Sequence, residues 1–140
     1  VFLNDNTASK LSDERHIDIE PHGYEDGRPV WLCLTYHGDG IRSPGQECIA
    51  KSYGGDLCYI PWWGTSVAKT DFLVFKGQRK SKNIHDGEPA CENQHGKSYY
   101  AVAHTKMGTI PGEYVVALSQ ICYTYQNREH LTKDYTFVFE

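Results

Sequence analysis

The sequence has no long apolar run, no sustained helical periodicity and no excess of positive charge, and each absence removes a class of protein. The longest uninterrupted apolar stretches are a few residues, far below the ~18 to 20 that a membrane-crossing helix requires. No membrane span is expected. With 14 Lys and Arg against 18 Asp and Glu, the chain carries a formal charge of −4 and a pI near 6.0. Nucleic acid is therefore not an expected partner, because phosphate recognition usually brings a basic face. The local group Lys76, Arg79, Lys80 and Lys82 reads as a solvated loop. Seven histidines are present (His16, His22, His37, His85, His95, His104 and His130), but none is spaced His-x-x-x-His, and no Cys-x-x-Cys occurs. Zinc is not expected from such spacing. His37-Gly38-Asp39-Gly40 lacks the spaced carboxylates of a calcium loop and reads as a turn. There is no nucleophile elbow, phosphate loop or paired-carboxylate motif, and Ser66-Val67-Ala68-Lys69 matches Ser-x-x-Lys without a helix or partner motifs. Neither a cofactor nor catalysis is expected.

What is present favours strands and turns: ten Tyr, five Phe, three Trp and thirteen Gly. At 140 residues, 39% hydrophobic and 23% charged, the chain fits one domain, 1–140, able to bury roughly two thirds of its unfolded surface. Five cysteines (Cys33, Cys48, Cys58, Cys91, Cys122) fit an extracellular protein. Their odd number leaves either a free buried thiol or a bridge to another chain. The chain begins at Val1 without a methionine, which fits a processed, secreted form.

One stretch occurs twice. Cys58-Tyr59-Ile60 through Phe72-Leu73-Val74-Phe75 is answered by Cys122-Tyr123-Thr124 through Thr136-Phe137-Val138-Phe139. Upstream, Pro44-Gly45 answers Pro111-Gly112, and Gly27-Arg28 with Val30-Trp31 answers Gly96-Lys97 with Tyr99-Tyr100. The first copy carries extra residues at Gly38 to Ser43 and at Tyr53 to Asp56, as connections tolerate. The expected fold is all-β: two tandem antiparallel repeats, about 1–72 and 73–140, related by a pseudo-two-fold axis and sharing one core. Cys58 and Cys122, at matching positions, read as buried strand cysteines.

Individual segments follow from local chemistry. Val1 to Asn4 reads as a short strand, Ala8 to His16 as a polar helical turn, and His16 to Glu20, with Ile17 and Ile19 alternating, as a half-buried strand ended by Pro21. Glu25-Asp26-Gly27 and His95-Gly96-Lys97 supply turns before strands at Val30 to Tyr36 and Ser98 to His104. Pro44-Gly45 and Pro111-Gly112 carry tight-turn chemistry. Asp134 to Phe139 alternates, with Tyr135, Phe137 and Phe139 on one face.

This order of aromatic strand, Pro-Gly, apolar strand, Cys-Tyr and a final Tyr/Phe-x-Val-Phe strand resembles the DM-nine repeat of invertebrate lectins. The second copy carries the resemblance most fully, in Gly96-Lys97-Ser98-Tyr99-Tyr100-Ala101, Thr109-Ile110-Pro111-Gly112, Cys122-Tyr123 and Glu129-His130. The two copies together span residues 17 to 139. The resemblance implies interlocked β repeats, calcium-independent binding of mannose-type sugars, and pairing into dimers. Where the family has Lys after Pro-Gly, this chain has Gln46 and Glu113; where it has an acidic residue before the turn glycine, Tyr24 and Asn93 stand; and Thr65 stands in the first copy for Glu129.

A sugar site needs converging donors and acceptors for vicinal hydroxyls and an aromatic face for the ring. Tyr24, Gln46, Asn93, Glu113 and Glu129 are the sugar-binding candidates, read as turn and loop residues, with Trp62-Trp63 as a stacking surface, one ring in the core and the other partly exposed. Were Lys97, Lys106 or Arg128 to border the pocket, an acidic, uronic-acid-type glycan would fit. The reading is a secreted, non-enzymatic lectin for microbial or polysaccharide surfaces, as in innate immunity, acting as a homo- or hetero-dimer and disulfide-linked if the odd cysteine bridges chains. The competing reading is a structural or assembly subunit that has lost the sugar site.

Overall fold

Runs of aromatic and β-branched residues cut at short intervals by Gly, Asp and Asn leave little choice but short antiparallel strands. A computed structural model of the protein describes residues 11–12, 18–38, 46–93 and 96–140, without the side chains of 11, 12, 46–48 and 93. Among these residues the chain is all-β. Its strands are β1 (Leu11–Ser12), β2 (Gly23–Glu25), β3 (Arg28–His37), β4 (Gln46–Ser52), β5 (Cys58–Trp62), β6 (Thr65–Lys69) and β7 (Phe72–Phe75), then β8 (Arg79–Ser81), β9 (Cys91–Asn93), β10 (Gly96–Thr105), β11 (Gly108–Val115), β12 (Gln120–Tyr125), β13 (Arg128–Thr132) and β14 (Tyr135–Phe139). Short 3-10 turns occupy Ile84–Asp86 and Val116–Leu118.

Three hairpins, β2–β3, β5–β6 and β12–β13, close through two-residue turns whose central residues both have positive φ: Asp26 and Gly27, Trp63 and Gly64, Gln126 and Asn127. That turn type matches the twist of the strands it joins. Eight strands then pair in a closed ring, β2–β3–β4–β5–β6–β13–β12–β11 and back to β2, an antiparallel barrel. The ring is unevenly stitched. β3 and β4 pair over seven residue pairs, from Trp31↔Ser52 to His37↔Gln46, whereas β6 meets β13 only at Thr65↔Arg128. At the β2–β11 join the backbones approach so closely that a Cβ on Gly108 would lie 2.0 Å from Tyr24 O, and one on Gly23 1.9 Å from Thr109 O. Glycine is required there. Outside the ring, β7 pairs β3, β10 pairs β11, β14 and β9 pair β10, and β1 and β8 form outer edges on β7 and β14.

The two long strands are buried on both faces, which is why their sequences run apolar without alternation. From β3, Leu32 and Leu34 enter a central cluster with Ile49, Phe75, Tyr100, Val102 and Val138, while Trp31 and Cys33 join Cys58, Ile60, Phe72 and Val74 on the other side. From β10, Tyr100 and Val102 face the central cluster, and Tyr99 and Ala101 face Ile121, Tyr123, Phe137 and Phe139. Phe75 stacks on Tyr100 with centroids 4.0 Å apart, so residues from both halves of the chain share the central cluster.

Several expectations are corrected. Pro111-Gly112 lies inside β11, opposite Val102 and Ala101, and is not a turn. Proline is tolerated because β2 pairs with residues 108–109 and β12 with 113–115, leaving Pro111 between them without a second neighbour. Of the strand expected at His16 to Glu20, residues 18–20 are irregular, with Asp18 at φ 66, and the rest lies outside the described residues. Leu11–Ser12 is strand, not helical turn; Val1 to Asn4 and Pro44-Gly45 lie outside the described residues. The basic group is no loop at Arg79–Ser81, which pairs with β14, and Lys80 Nζ donates to His22 O at 2.9 Å. Cys58 is bonded to Cys33 in a disulfide that spans β4, whereas Cys122 is free and buried; Cys91 is buried too, and the side chain of Cys48 lies outside the described residues.

Candidate functional site

Register alone brings the site together. Glu113, Cys122 and Leu131 are consecutive Cα partners across β11, β12 and β13, so their side chains share one face of the sheet. Glu129 and Val115, each two residues along its strand, fall on that same face. The β5–β6 turn is tied to this surface through Glu129. Its N–H donates to Gly64 O at 3.2 Å, and its Oε1 accepts from Gly64 N–H at 3.2 Å. The result is a concave pocket of about 200 Å³, lined by Glu113, Glu129 and Cys122 together with Trp62, Trp63 and the aliphatic side chains of Ile49, Pro61, Val115, Leu118 and Leu131.

Trp62 is buried and Trp63 is 52% exposed, as expected, but not by strand alternation: β5 ends at Trp62, Trp63 lies in the turn, and both line the pocket. Trp63 also holds φ 50, a conformation that costs a non-glycine residue on the order of 1 kcal/mol. Asp26 and Gln126 hold the same conformation at the matching place in the other two hairpin turns, so the turn type sets it. Glu113 Oε1 accepts from Ile49 N–H at 3.3 Å. Burial pushes the Glu113 carboxyl up to about 7, against the pull of that hydrogen bond and with the help of the Glu129 charge. Cys122 lies beneath both; burial, then the Glu129 and Glu113 carboxylates, drive its thiol up to about 12. Near neutral pH that environment favours the thiol over the thiolate.

A second, smaller pocket of about 130 Å³ is lined by Lys51, Tyr53, Tyr59, Ser66, Tyr125 and Asn127, among others. Its lysine is satisfied internally. Lys51 Nζ donates to Glu25 Oε1 and, at 2.5 Å, to Thr124 O, while Tyr53 OH donates to Glu25 Oε2 at 2.6 Å.

Of the five candidates, Glu113 and Glu129 meet in the larger pocket, and both sit on strands rather than in turns. Tyr24 lies on β2, 53% exposed, and lines neither pocket. Gln46 opens β4 and Asn93 closes β9, again on strands and not in turns, and their side chains lie outside the described residues. Lys97, Lys106 and Arg128 line neither pocket. Lys51 escaped sequence reasoning, although a lysine inside the apolar run Cys48-Ile49-Ala50-Lys51 was the available signal. Among the described residues no group of three or more His, Cys, Asp or Glu is arranged to hold a metal, and no helix is long and apolar enough to cross a membrane. No protein-family model matches the chain, and no curated protein matches it.

Proposed function

We propose that the protein is a non-enzymatic carbohydrate-binding protein of the DM-nine type, and that the Glu113–Glu129 pocket is its sugar site. The observation that carries this reading is one pocket holding an exposed aromatic ring, Trp63, beside two carboxylates that can accept hydrogen bonds from neighbouring hydroxyls. The pocket's negative charge favours neutral over uronic-acid glycans. A disulfide between Cys33 and Cys58 accords with an oxidising, extracellular setting.

The two-repeat reading draws support from strand pairing. The pairs β1–β7, β2–β3, β3–β4, β3–β7, β4–β5 and β5–β6 have counterparts in β8–β14, β9–β10, β10–β11, β10–β14, β11–β12 and β12–β13. Lys51 faces Tyr59 where Glu113 faces Cys122, and Trp62 faces Thr65 where Tyr125 faces Arg128. By this register Lys51, not Gln46, answers Glu113, and Ser66, not Thr65, answers Glu129. The Thr65↔Arg128 bridge joins two such counterparts, as a pair beside a two-fold axis would. The two pockets then answer one another: Lys51, Tyr59, Ser66 and Tyr125 stand where Glu113, Cys122, Glu129 and Trp62 stand.

The test is binding of the full chain to immobilised glycans with and without a chelator. The expected result is chelator-insensitive binding that Trp63→Ala removes; no glycan held above background would end this reading. A specific observation favours the assembly reading as the second choice: Leu118, Leu131 and Trp63 are exposed apolar residues that line one pocket. Sedimentation showing a dimer that Leu118→Ser or Leu131→Ser dissociates, with no glycan bound, would favour it.

A further inference from the structure

Two buried or half-buried carboxylate systems in this fold are treated differently. Glu25 is answered inside the protein by the Lys51 ammonium and the Tyr53 hydroxyl. Glu113 and Glu129 share a pocket with apolar and aromatic walls, and among the described residues neither forms an ion pair. Glu113 stands at the position that register matches to Lys51, so where one pocket supplies its own ammonium, the other is lined by two carboxylates and no cation. A neutral ligand that excluded water here would leave the Glu113 and Glu129 carboxylates without a counter-charge, to be met only by desolvation or by uptake of a proton. A ligand bearing a cation would supply that counter-charge.

Building on the carbohydrate reading, we propose that the Glu113–Glu129 pocket recognises an amino sugar, a hexose whose free amine is protonated. The ammonium sits between the two carboxylates as a charge-assisted donor. The ring lies against Trp63, whose π face attracts both the C–H surface and the nearby cation. Acetylation of the amine would abolish the charge and lengthen the substituent, and a uronic acid would meet carboxylate with carboxylate. Partly deacetylated hexosamine polymers are the ligand class this chemistry selects.

The test is titration calorimetry of the full chain at pH 7 with glucosamine, N-acetylglucosamine, glucose and cyclohexylammonium, with Trp fluorescence as a second readout. Glucosamine and its β-linked oligomers are expected to bind at least tenfold tighter than the acetylated and neutral sugars. Glu113→Gln and Glu129→Gln should each erase that preference. Gln at 113 can still accept from Ile49 N–H, and thermal melts verify that both variants fold. Glucosamine binding no tighter than glucose overturns the proposal; the carbohydrate reading survives if both bind and falls with it if neither does. Cyclohexylammonium binding as tightly as glucosamine also overturns it, because the pocket would then read a bare cation and not a sugar.

Discussion

The Lys51 ammonium and the Glu25 carboxylate form an ion pair inside the barrel, with side chains 2% and 7% exposed. Burial alone would drive Lys51 towards its neutral form, and Glu25 opposes this. Removing one partner leaves the other desolvated and unpaired, which costs about 3 to 5 kcal/mol. Lys51→Met is therefore expected to destabilise the fold by that amount in urea denaturation. Adding Glu25→Gln should recover much of the loss, because the stranded charge is then gone. Equal and additive losses from the two changes would show that the pair does not act as a unit.

Acid stability should depend on two groups that pull in opposite directions. His22 is 3% exposed, accepting from Leu32 N–H at Nδ1 and donating from Nε2 to Gly77 O, both at 2.9 Å. Burial lowers it from 6.5 to about 4, so the stability it contributes is complete above pH 6.5 and lost as pH falls towards 4. Glu113 is raised from 4.5 to about 7, so its contribution is complete below pH 4.5 and lost as pH rises through 7. Each is worth up to roughly 3 kcal/mol. Between pH 4.5 and 6.5 the two slopes oppose one another. Glu113→Gln is expected to raise the melting temperature at pH 8, to change it little at pH 4, and to leave a steeper acid decline. A variant with an unchanged pH profile would contradict this account.

The Cys33–Cys58 disulfide closes a separation of 25 residues, a loop for which the entropy of the unfolded chain sets a stabilisation of about 3 kcal/mol. The double replacement Cys33→Ala with Cys58→Ala should lower the denaturation midpoint accordingly. In the native protein Cys122 should resist alkylation, since it is buried, and react once urea unfolds the chain. Rapid native labelling of it, read by mass spectrometry, would refute its burial.

Gly108 and Gly27 both have positive φ, 129 and 82, yet only Gly108 is crowded. Gly27→Ala should cost about 1 kcal/mol from backbone strain alone. Gly108→Ala must also push Tyr24 O away and part β2 from β11, so a loss above about 2 kcal/mol is expected. Equal losses would mean that the join is not tight.

Some of this could be read before any coordinates. Residues 30–36 and 98–104 are strands because their aromatic and aliphatic runs suit burial on both faces, and Tyr135, Phe137 and Phe139 do gather in one cluster. The resemblance in motif order singles out Glu113 and Glu129, and register explains why they meet. What escaped depended on distant neighbours. Pro111 looks like turn chemistry until the gap between β2 and β12 is known, and Arg79–Ser81 looks like a solvated loop until β14 is found beside it. Lys51 stands out as a lysine closing an apolar run, but its partner Glu25, 26 positions earlier, cannot be read from that run. Local propensity cannot carry such information.

The β6–β13 contact has one residue pair where β3–β4 has seven. Local opening begins where the fewest cooperative hydrogen bonds must break, so amides near Thr65 and Arg128 should exchange with deuterium well before those of Leu32 to Leu34. The Trp63–Gly64 turn is held to β13 by that bridge and by the two Glu129–Gly64 hydrogen bonds, so the rim of the pocket sits on the most thinly stitched seam of the ring.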